Sequence, residues 1–184
     1  KTDPLGLIVE DFNGDGSKDL LTTVPNNKEI ALFLIKKNTP NFLEEIRIPI
    51  NIEPELITSG DLNGDGLKDL VLLSYIDYRM DVLFNDRATL FIHRQTIEID
   101  FFDIQPLKIL GGVQPLLCAN LDNTKQDELY LIEPDENQFF SAIQKYHFDA
   151  RGNLIKKNRI ILNNFVNQDI QAIDFINIDY NADM

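Results

Sequence analysis

The sequence predicts an all-β fold, a fragment of a β-propeller made of four-stranded antiparallel blades. Three observations favour this class. An acidic ten-residue motif recurs along the chain, its copies are spaced 50 to 60 residues apart, and each interval holds four short segments rich in β-branched and aromatic residues. Four strands make one antiparallel sheet, which is marginal alone and buries its faces by stacking against neighbouring sheets.

The repeated motif is the strongest of these signals. Its two complete copies are DFNGDGSKDL, from Asp11 to Leu20, and DLNGDGLKDL, from Asp61 to Leu70. A weaker copy, NLDNTKQDEL, begins at Asn120, and the opening of the motif returns as DYNAD at Asp179. The four starts are 50, 59 and 59 residues apart. Intervals of this length indicate propeller blades, since helical repeats are generally shorter.

The segments between motifs define the predicted blades. Short apolar runs flank each motif, such as LGLIVEDF before the first copy and DLLTTV after it, and two further strand-like segments follow. This pattern places three blades at residues 1–50, 51–108 and 109–164, with an incomplete fourth at 165–184. The segment Asp77–Arg87 shows no clear alternation, so we expect a short helical or irregular insertion there. The last two strands of the second blade are then predicted in ATLFIHR and TIEIDFF.

The chemistry of the motif points to a calcium loop. Counting its first aspartate as place 1, the places 1, 3, 5 and 9 carry side-chain oxygen in both copies, and calcium takes six to eight oxygen ligands. Glycine at place 6 permits a sharp turn with positive φ, and place 7 need supply only its backbone carbonyl. Magnesium fits less well because it prefers a smaller, rigid octahedron. The alternative is a pair of acidic hairpin turns, because Asn-Gly and Asp-Gly are also turn sequences.

Two related calcium loops are excluded by the residues that come after the motif. EF-hand and dockerin loops need an acid at place 12 and a helix after it. Place 12 is Thr22 in the first copy and Leu72 in the second, and both lie in strand-like runs.

The motif followed directly by an apolar strand resembles the FG-GAP and VCBS repeats of integrin-α-like β-propellers. The resemblance implies a loop that joins the first two strands of a blade and binds calcium. The implied ligands of two sites are Asp11, Asn13, Asp15, Ser17 and Asp19, and Asp61, Asn63, Asp65, Leu67 and Asp69.

The sequence departs from this family pattern in three respects. The Phe-Gly and Gly-Ala-Pro letters that name the repeat are missing. The third copy offers the weaker ligand set Asn120, Asp122, Thr124 and Glu128, with Lys125 in place of the glycine, so it is a lesser candidate for a third ion. The fourth copy, with Asp179, Asn181 and Asp183, lacks its closing residues.

Composition restricts the partners and the compartment. A net charge of −13 disfavours nucleic acid and anionic membranes as partners, and no apolar stretch reaches the length of a membrane span. The single cysteine, Cys118, allows no internal disulfide and is expected to act as a small buried hydrophobe. Calcium modules of low affinity operate where calcium is abundant, which predicts an extracellular or cell-surface location, secreted or periplasmic in a bacterium.

No catalytic constellation is recognisable. The two histidines, His93 and His147, lie in strand-like segments outside metal-ligand spacings, and no nucleophile elbow is present. We therefore predict a non-enzymatic, calcium-binding extracellular propeller that serves as an adhesion or recognition scaffold for a protein or carbohydrate. The alternative is the non-catalytic propeller portion of a secreted polysaccharide-degrading enzyme.

Overall fold

The computed structural model describes residues 6–24, 27–36, 42–87, 90–91, 93–99, 116–134 and 140–161. These residues form three four-stranded antiparallel sheets, each with its strands in sequence order. The first sheet contains β1 (Leu7–Glu10), β2 (Asp19–Val24), β3 (Glu29–Ile35) and β4 (Phe42–Pro49). The second contains β5 (Leu56–Gly60), β6 (Asp69–Ser74), β7 (Arg79–Phe84) and β8 (His93–Glu98). The third contains β9 (Leu116–Ala119), β10 (Glu128–Pro134), β11 (Phe140–Phe148) and β12 (Leu154–Ile161).

The three sheets are blades of a β-propeller, as the sequence predicts. In each sheet the up-and-down order leaves the first and fourth strands at the edges. The first strands lie side by side, because β5 contacts both β1 and β9. This arrangement places the first strand of each blade on the inner side, where successive blades converge. The predicted fourth blade, residues 165–184, lies outside the described residues, and the predicted blade boundaries remain predictions.

Two apolar layers hold the blades together, and the second blade contributes to both. Its side chains Leu70, Leu72 and Leu83 are buried against the first blade. Side chains from the opposite face of the same strands, including Val71 and Val82, are buried against the third blade. The central blade therefore has two covered faces, and every residue of β6 is buried. Apolar burial of this extent stabilises the stack by roughly 1.5 to 3 kcal/mol per large side chain.

The prediction of an insertion at Asp77–Arg87 was wrong. Residues 79–84 form β7, which pairs with β6 on one side and with β8 on the other. A strand that is covered on both faces needs no alternation of apolar and polar residues, so its period is hidden in the sequence. One of its two charged residues, Asp81, is fully buried and accepts a hydrogen bond from Thr96 Oγ1 at 2.7 Å.

The prediction that Cys118 is a buried hydrophobe is met in part. Cys118 lies in β9 and is half-buried at the edge of the layer between the second and third blades. No helix in the described stretches of the chain is long and apolar enough to cross a membrane.

The turn from β11 to β12 contributes to the contact between the second and third blades through Gly152. Its φ is +78°, a conformation that favours glycine, and a Cβ at this position would lie 2.6 Å from ring carbons of Phe84. We expect Gly152→Ala to lower the free energy of unfolding by about 2 kcal/mol, through backbone strain and overpacking.

Gly66→Ala is the matched control, because Gly66 has φ +87° and open space around its Cβ position. It should cost about 1 kcal/mol from backbone strain alone. The free energy of unfolding of both variants is measured by urea denaturation in excess chelator. Equal costs for the two substitutions would show that Phe84 does not constrain Gly152.

Candidate metal-binding loops

The first and second motif copies form two loops with the same hydrogen bonds. One joins β1 to β2 and the other joins β5 to β6. The carboxylate of Asp11 accepts hydrogen bonds from the N–H groups of Gly14, Asp15 and Gly16 at 2.8, 3.1 and 2.8 Å. Asp61 accepts the corresponding bonds at places 4, 5 and 6 of the second loop at 2.8, 3.1 and 2.9 Å. Each loop therefore coils around the carboxylate at place 1.

Glycines at places 4 and 6 allow this coil. Gly14 and Gly16 have φ of +73° and +86°, and the glycines of the second loop have nearly the same values. A left-handed backbone at these two places points consecutive N–H groups toward the place-1 carboxylate, and only glycine adopts it without steric cost. The sequence predicts a requirement for glycine at place 6, and the structure adds place 4.

Places 3, 5 and 7 are linked to each other within the loop. In the first loop the Asn13 side-chain oxygen accepts a bond from Asp15 N, and Asp15 Oδ1 accepts one from Ser17 N at 2.7 Å. The second loop repeats both bonds. The side chains of Asp15 and Asp65 lie on exposed residues. Oxygen-bearing groups at alternate places thus share one small region of each loop.

The aspartates at place 9 differ from the others because they are fully buried. Asp69 Oδ2 accepts the N–H of Leu62, and its Oδ1 accepts the N–H of Asn85 just beyond β7, at 2.8 and 2.9 Å. Asp19 makes the equivalent bonds with Phe12 and Ile35. Each of these carboxylates ties the start of its loop to the end of the third strand of its blade.

The loops carry negative charge that their hydrogen bonds do not fully compensate. The pKa of Asp69 is raised to about 7, chiefly by burial and in smaller part by the nearby carboxylates of Asp65 and Asp61, against the lowering effect of its backbone hydrogen bonds. Burial likewise raises the pKa of Asp61 and of Asp19, with an added contribution from the place-5 aspartate of the same loop. A bound cation would offset this repulsion.

Two features support the fit of these loops to calcium: their ligand atoms are oxygens, and one buried hydroxyl has no hydrogen-bond partner within the residues that the structure describes. In the described part of the chain no three His, Cys, Asp or Glu side chains converge as a ready ligand set. The loop donors are all oxygen, which suits calcium, and a carboxylate that accepts N–H bonds keeps further lone pairs. The buried Ser17 hydroxyl at place 7 has no hydrogen-bond partner among the described residues. The loops therefore offer the type of oxygen ligand that calcium prefers, and the place-1 and place-9 carboxylates of this structure accept hydrogen bonds from backbone N–H groups.

The loops of successive blades stack on one another. The side chain of Leu67, at place 7 of the second loop, lies 3.4 Å from the Cβ position of Gly14 in the first loop. Gln126, at place 7 of the third loop, lies 3.5 Å from the corresponding position of Gly64. Leu67 is thus buried by packing against the preceding loop, and this contact explains why an apolar side chain stands at place 7.

Polar contacts reinforce the stacking. Asp127, at place 8 of the third loop, accepts the N–H of Asp61 at 2.7 Å and pairs with Lys68 Nζ at 2.9 Å. Asn85 Nδ2 donates to the carbonyl oxygen of Phe12 at 2.6 Å, joining the second blade to the first loop. Neither Asp127 nor Asn85 was predicted from the sequence. In the sequence, the one signal for Asp127 was its own acidic side chain next to place 9. No sequence signal pointed to Asn85.

The third loop is built differently from the first two. Asn120 Nδ2 donates to the carbonyl of Thr124, so the side chain at place 1 acts as a donor instead of an acceptor. Asn123, at place 4, keeps a positive φ of 56°. Hydrogen bonds from Thr124, together with the charge of Lys145, lower the pKa of Asp122. The fourth set, Asp179, Asn181 and Asp183, lies outside the described residues.

Comparison with protein families identifies the repeat. The model of the FG-GAP-like repeat matches residues 11–72, from the first residue of the first loop into β6. Residues 11–72 are an FG-GAP-like repeat. The matched stretch contains both complete loops and the strands between them, and FG-GAP repeats form propellers, in agreement with the three blades. Comparison with curated proteins yields no significant match.

Proposed function

We propose that this chain is a calcium-binding propeller module that serves, outside the cytosol, as a non-catalytic adhesion or recognition scaffold. The observation that carries the proposal is the duplicated loop, in which two copies coil around an aspartate with matching hydrogen bonds. The first ion would be held by Asp11, Asn13, Asp15, Asp19 and the backbone carbonyl of Ser17. The second would be held by the equivalent residues from Asp61 to Asp69.

Charge and location support this assignment. Burial raises the pKa of Asp61 and Asp69, and the neighbouring carboxylates of the same loop add to the shift, so desolvation and like-charge repulsion both oppose folding without a cation. An ion of charge +2 would relieve that repulsion and stabilise the folded state by linkage. Loops that need calcium for full stability suit compartments in which calcium is millimolar, which favours a secreted or surface-exposed protein.

The partner class is inferred from the proposed architecture. A propeller presents strand-connecting loops at its two ends, where side chains can vary without disturbing the blades. We therefore propose an extracellular protein or carbohydrate as the partner. Release of reducing sugar from a polysaccharide by the purified chain would contradict the non-catalytic role.

Calcium titration tests the proposed metal sites. We expect isothermal calorimetry to detect two calcium ions per chain. Calcium at ten times its Kd should raise the free energy of unfolding by about 1.4 kcal/mol per site, relative to excess chelator. Magnesium at the same concentration should have a smaller effect because the loops offer a flexible set of oxygens.

Single-loop variants assign the ions. Asp15→Ala and Asp65→Ala should each remove one ion, and the double variant should remove both. Glu44→Ala, an exposed acid in β4, is the charge-matched control and should keep both. The proposal is wrong if chelator leaves the melting temperature of the wild type unchanged and calorimetry detects no calcium.

A further inference from the structure

Glu128, at place 9 of the third motif, is enclosed by a group of polar side chains without parallel in the first two blades. Its side chain is buried, with 1% of the residue exposed. Lys145 Nζ forms an ion pair with Glu128 Oε1, and the Tyr130 hydroxyl donates to Glu128 Oε2. His147 Nδ1 lies 3.8 Å from Oε1. The carboxylate therefore has a cation, a hydroxyl donor and an imidazole around it.

The place-9 side chain has consequently changed its partners. In the first two blades the aspartate at this place accepts backbone N–H groups of its own loop and of the residue at or just beyond the end of the third strand. Glutamate is longer by one methylene, and Glu128 instead contacts side chains on β10 and β11. The motif is thus closed by a side-chain cation rather than by the backbone.

The strand register shows that the cation is specific to the third blade. Lys145 on β11 is paired with Tyr130 on β10. Counted from place 9, the same pair of positions holds Leu21 and Leu32 in the first blade and Val71 and Val82 in the second. Those four side chains are fully buried and apolar. Among the three described blades, a lysine therefore occurs at this position only in the blade whose loop lacks acids at places 1 and 5.

A count of charges explains the exchange. Each of the first two motifs has three carboxylates at places 1, 5 and 9, so a calcium ion would leave a net charge of −1. At the ligand places 1, 3, 5 and 9 the third motif has two carboxylates, at places 3 and 9, because Asn120 and Thr124 stand at places 1 and 5. Its remaining acid, Asp127 at place 8, pairs with Lys68 of the second loop. One lysine brings the charge of these four ligand places to −1, the value that a calcium ion would leave at the ligand places of the first two motifs.

We propose that Lys145 supplies the cation of the third motif, so that this loop is closed by an ammonium group and takes no metal ion. The calcium stoichiometry of two rests on the proposed function, whereas the role of Lys145 does not. A metal ion at this loop would have to displace an ammonium group already paired with the buried carboxylate. Removing Lys145 leaves the buried carboxylate of Glu128 without its lysine partner, which destabilises the folded state.

The first test measures stability in excess chelator, where calcium has no influence. We expect Lys145→Met to raise the unfolding equilibrium constant about 30-fold, less than for a fully buried pair because a quarter of the ammonium side chain is exposed. Lys125→Met makes the same charge change on an exposed residue at place 6 of the same motif and should have little effect. Adding Glu128→Gln to Lys145→Met should recover most of the loss. Equal effects of the two lysine substitutions, or no recovery in the double variant, would overturn the inference.

The second test counts ions. The Asp15→Ala/Asp65→Ala variant should bind no calcium by calorimetry, since its third motif is intact but already holds a cation. One remaining ion that is lost on further substitution of Asp122→Ala would overturn the inference. A wild type that binds no calcium would instead refute the proposed function, and the stability of the Lys145 variants would still decide the role of this residue.

Discussion

Asp69→Ala should lower the free energy of unfolding by about 3 to 4 kcal/mol in excess chelator, although the residue belongs to a candidate metal loop. Its carboxylate is fully buried and accepts the N–H groups of Leu62 and Asn85, which are themselves buried. Alanine leaves both donors unsatisfied, at about 1 to 3 kcal/mol each. Loss of a buried charge with a raised pKa returns part of that cost.

Asp65→Ala is the matched control in the same loop. Asp65 is exposed and accepts the N–H of Leu67, so its substitution should cost below about 1 kcal/mol in chelator. In calcium the cost of Asp65→Ala in free energy of unfolding should be larger than in chelator, because this variant also loses the stabilisation contributed by one ion. Urea denaturation of both variants in chelator and in calcium separates the backbone contact from the metal ligand. Similar costs for the two substitutions in chelator would refute the structural role of place 9.

Phe84→Ala should be the most damaging single substitution considered, at about 3 to 5 kcal/mol. Phe84 ends β7 and is 4% exposed. Its ring packs edge-on against Phe148 of the third blade, with centroids 5.6 Å apart, and it covers the turn at Gly152. Truncation opens a cavity between two blades that depend on each other for burial.

Two further variants keep this prediction measurable if Phe84→Ala does not fold. Phe84→Leu retains most of the volume and should cost about 1.5 kcal/mol. Leu34→Ala removes the side chain at the equivalent position of the first blade, which is only half-buried, and should cost less than Phe84→Ala. A cost for Phe84→Ala no larger than that for Leu34→Ala would show that the aromatic contact does not hold the second and third blades together.

The strands and loops predictable from the sequence are those with a local signal. The segments before and after each motif could be placed because apolar runs and turn residues alternate along the chain, as in β1, β2, β9 and β10. Strand β7 was missed because the second blade is covered on both faces, and such a strand has no distinguishing period. Strand β8 begins at His93, so among the described residues of the predicted segment ATLFIHR only the last two lie in it.

The candidate site divides in the same way. Oxygen at places 1, 3, 5 and 9 and glycine at place 6 are visible in the letters, since a tight coil around a carboxylate depends on neighbouring residues. The direction in which a side chain turns is not visible. Asp69 reaches Asn85, 16 residues away, and Asp61 is held by Asp127, 66 residues away. Such contacts depend on strand pairing and blade stacking.

By itself the sequence determined the repeat, its strand content and the two acidic loops, because each depends on residues that lie within one motif or beside it. Only the tertiary structure decided that place 9 is a buried backbone contact, that Leu67 and Gln126 pack on the preceding loops, and that Lys145 lies against Glu128. The residue types within the motif do not determine these roles. The physical reason is that burial, and with it the energetic cost of a charge or an unpaired N–H, is set by the neighbouring blade.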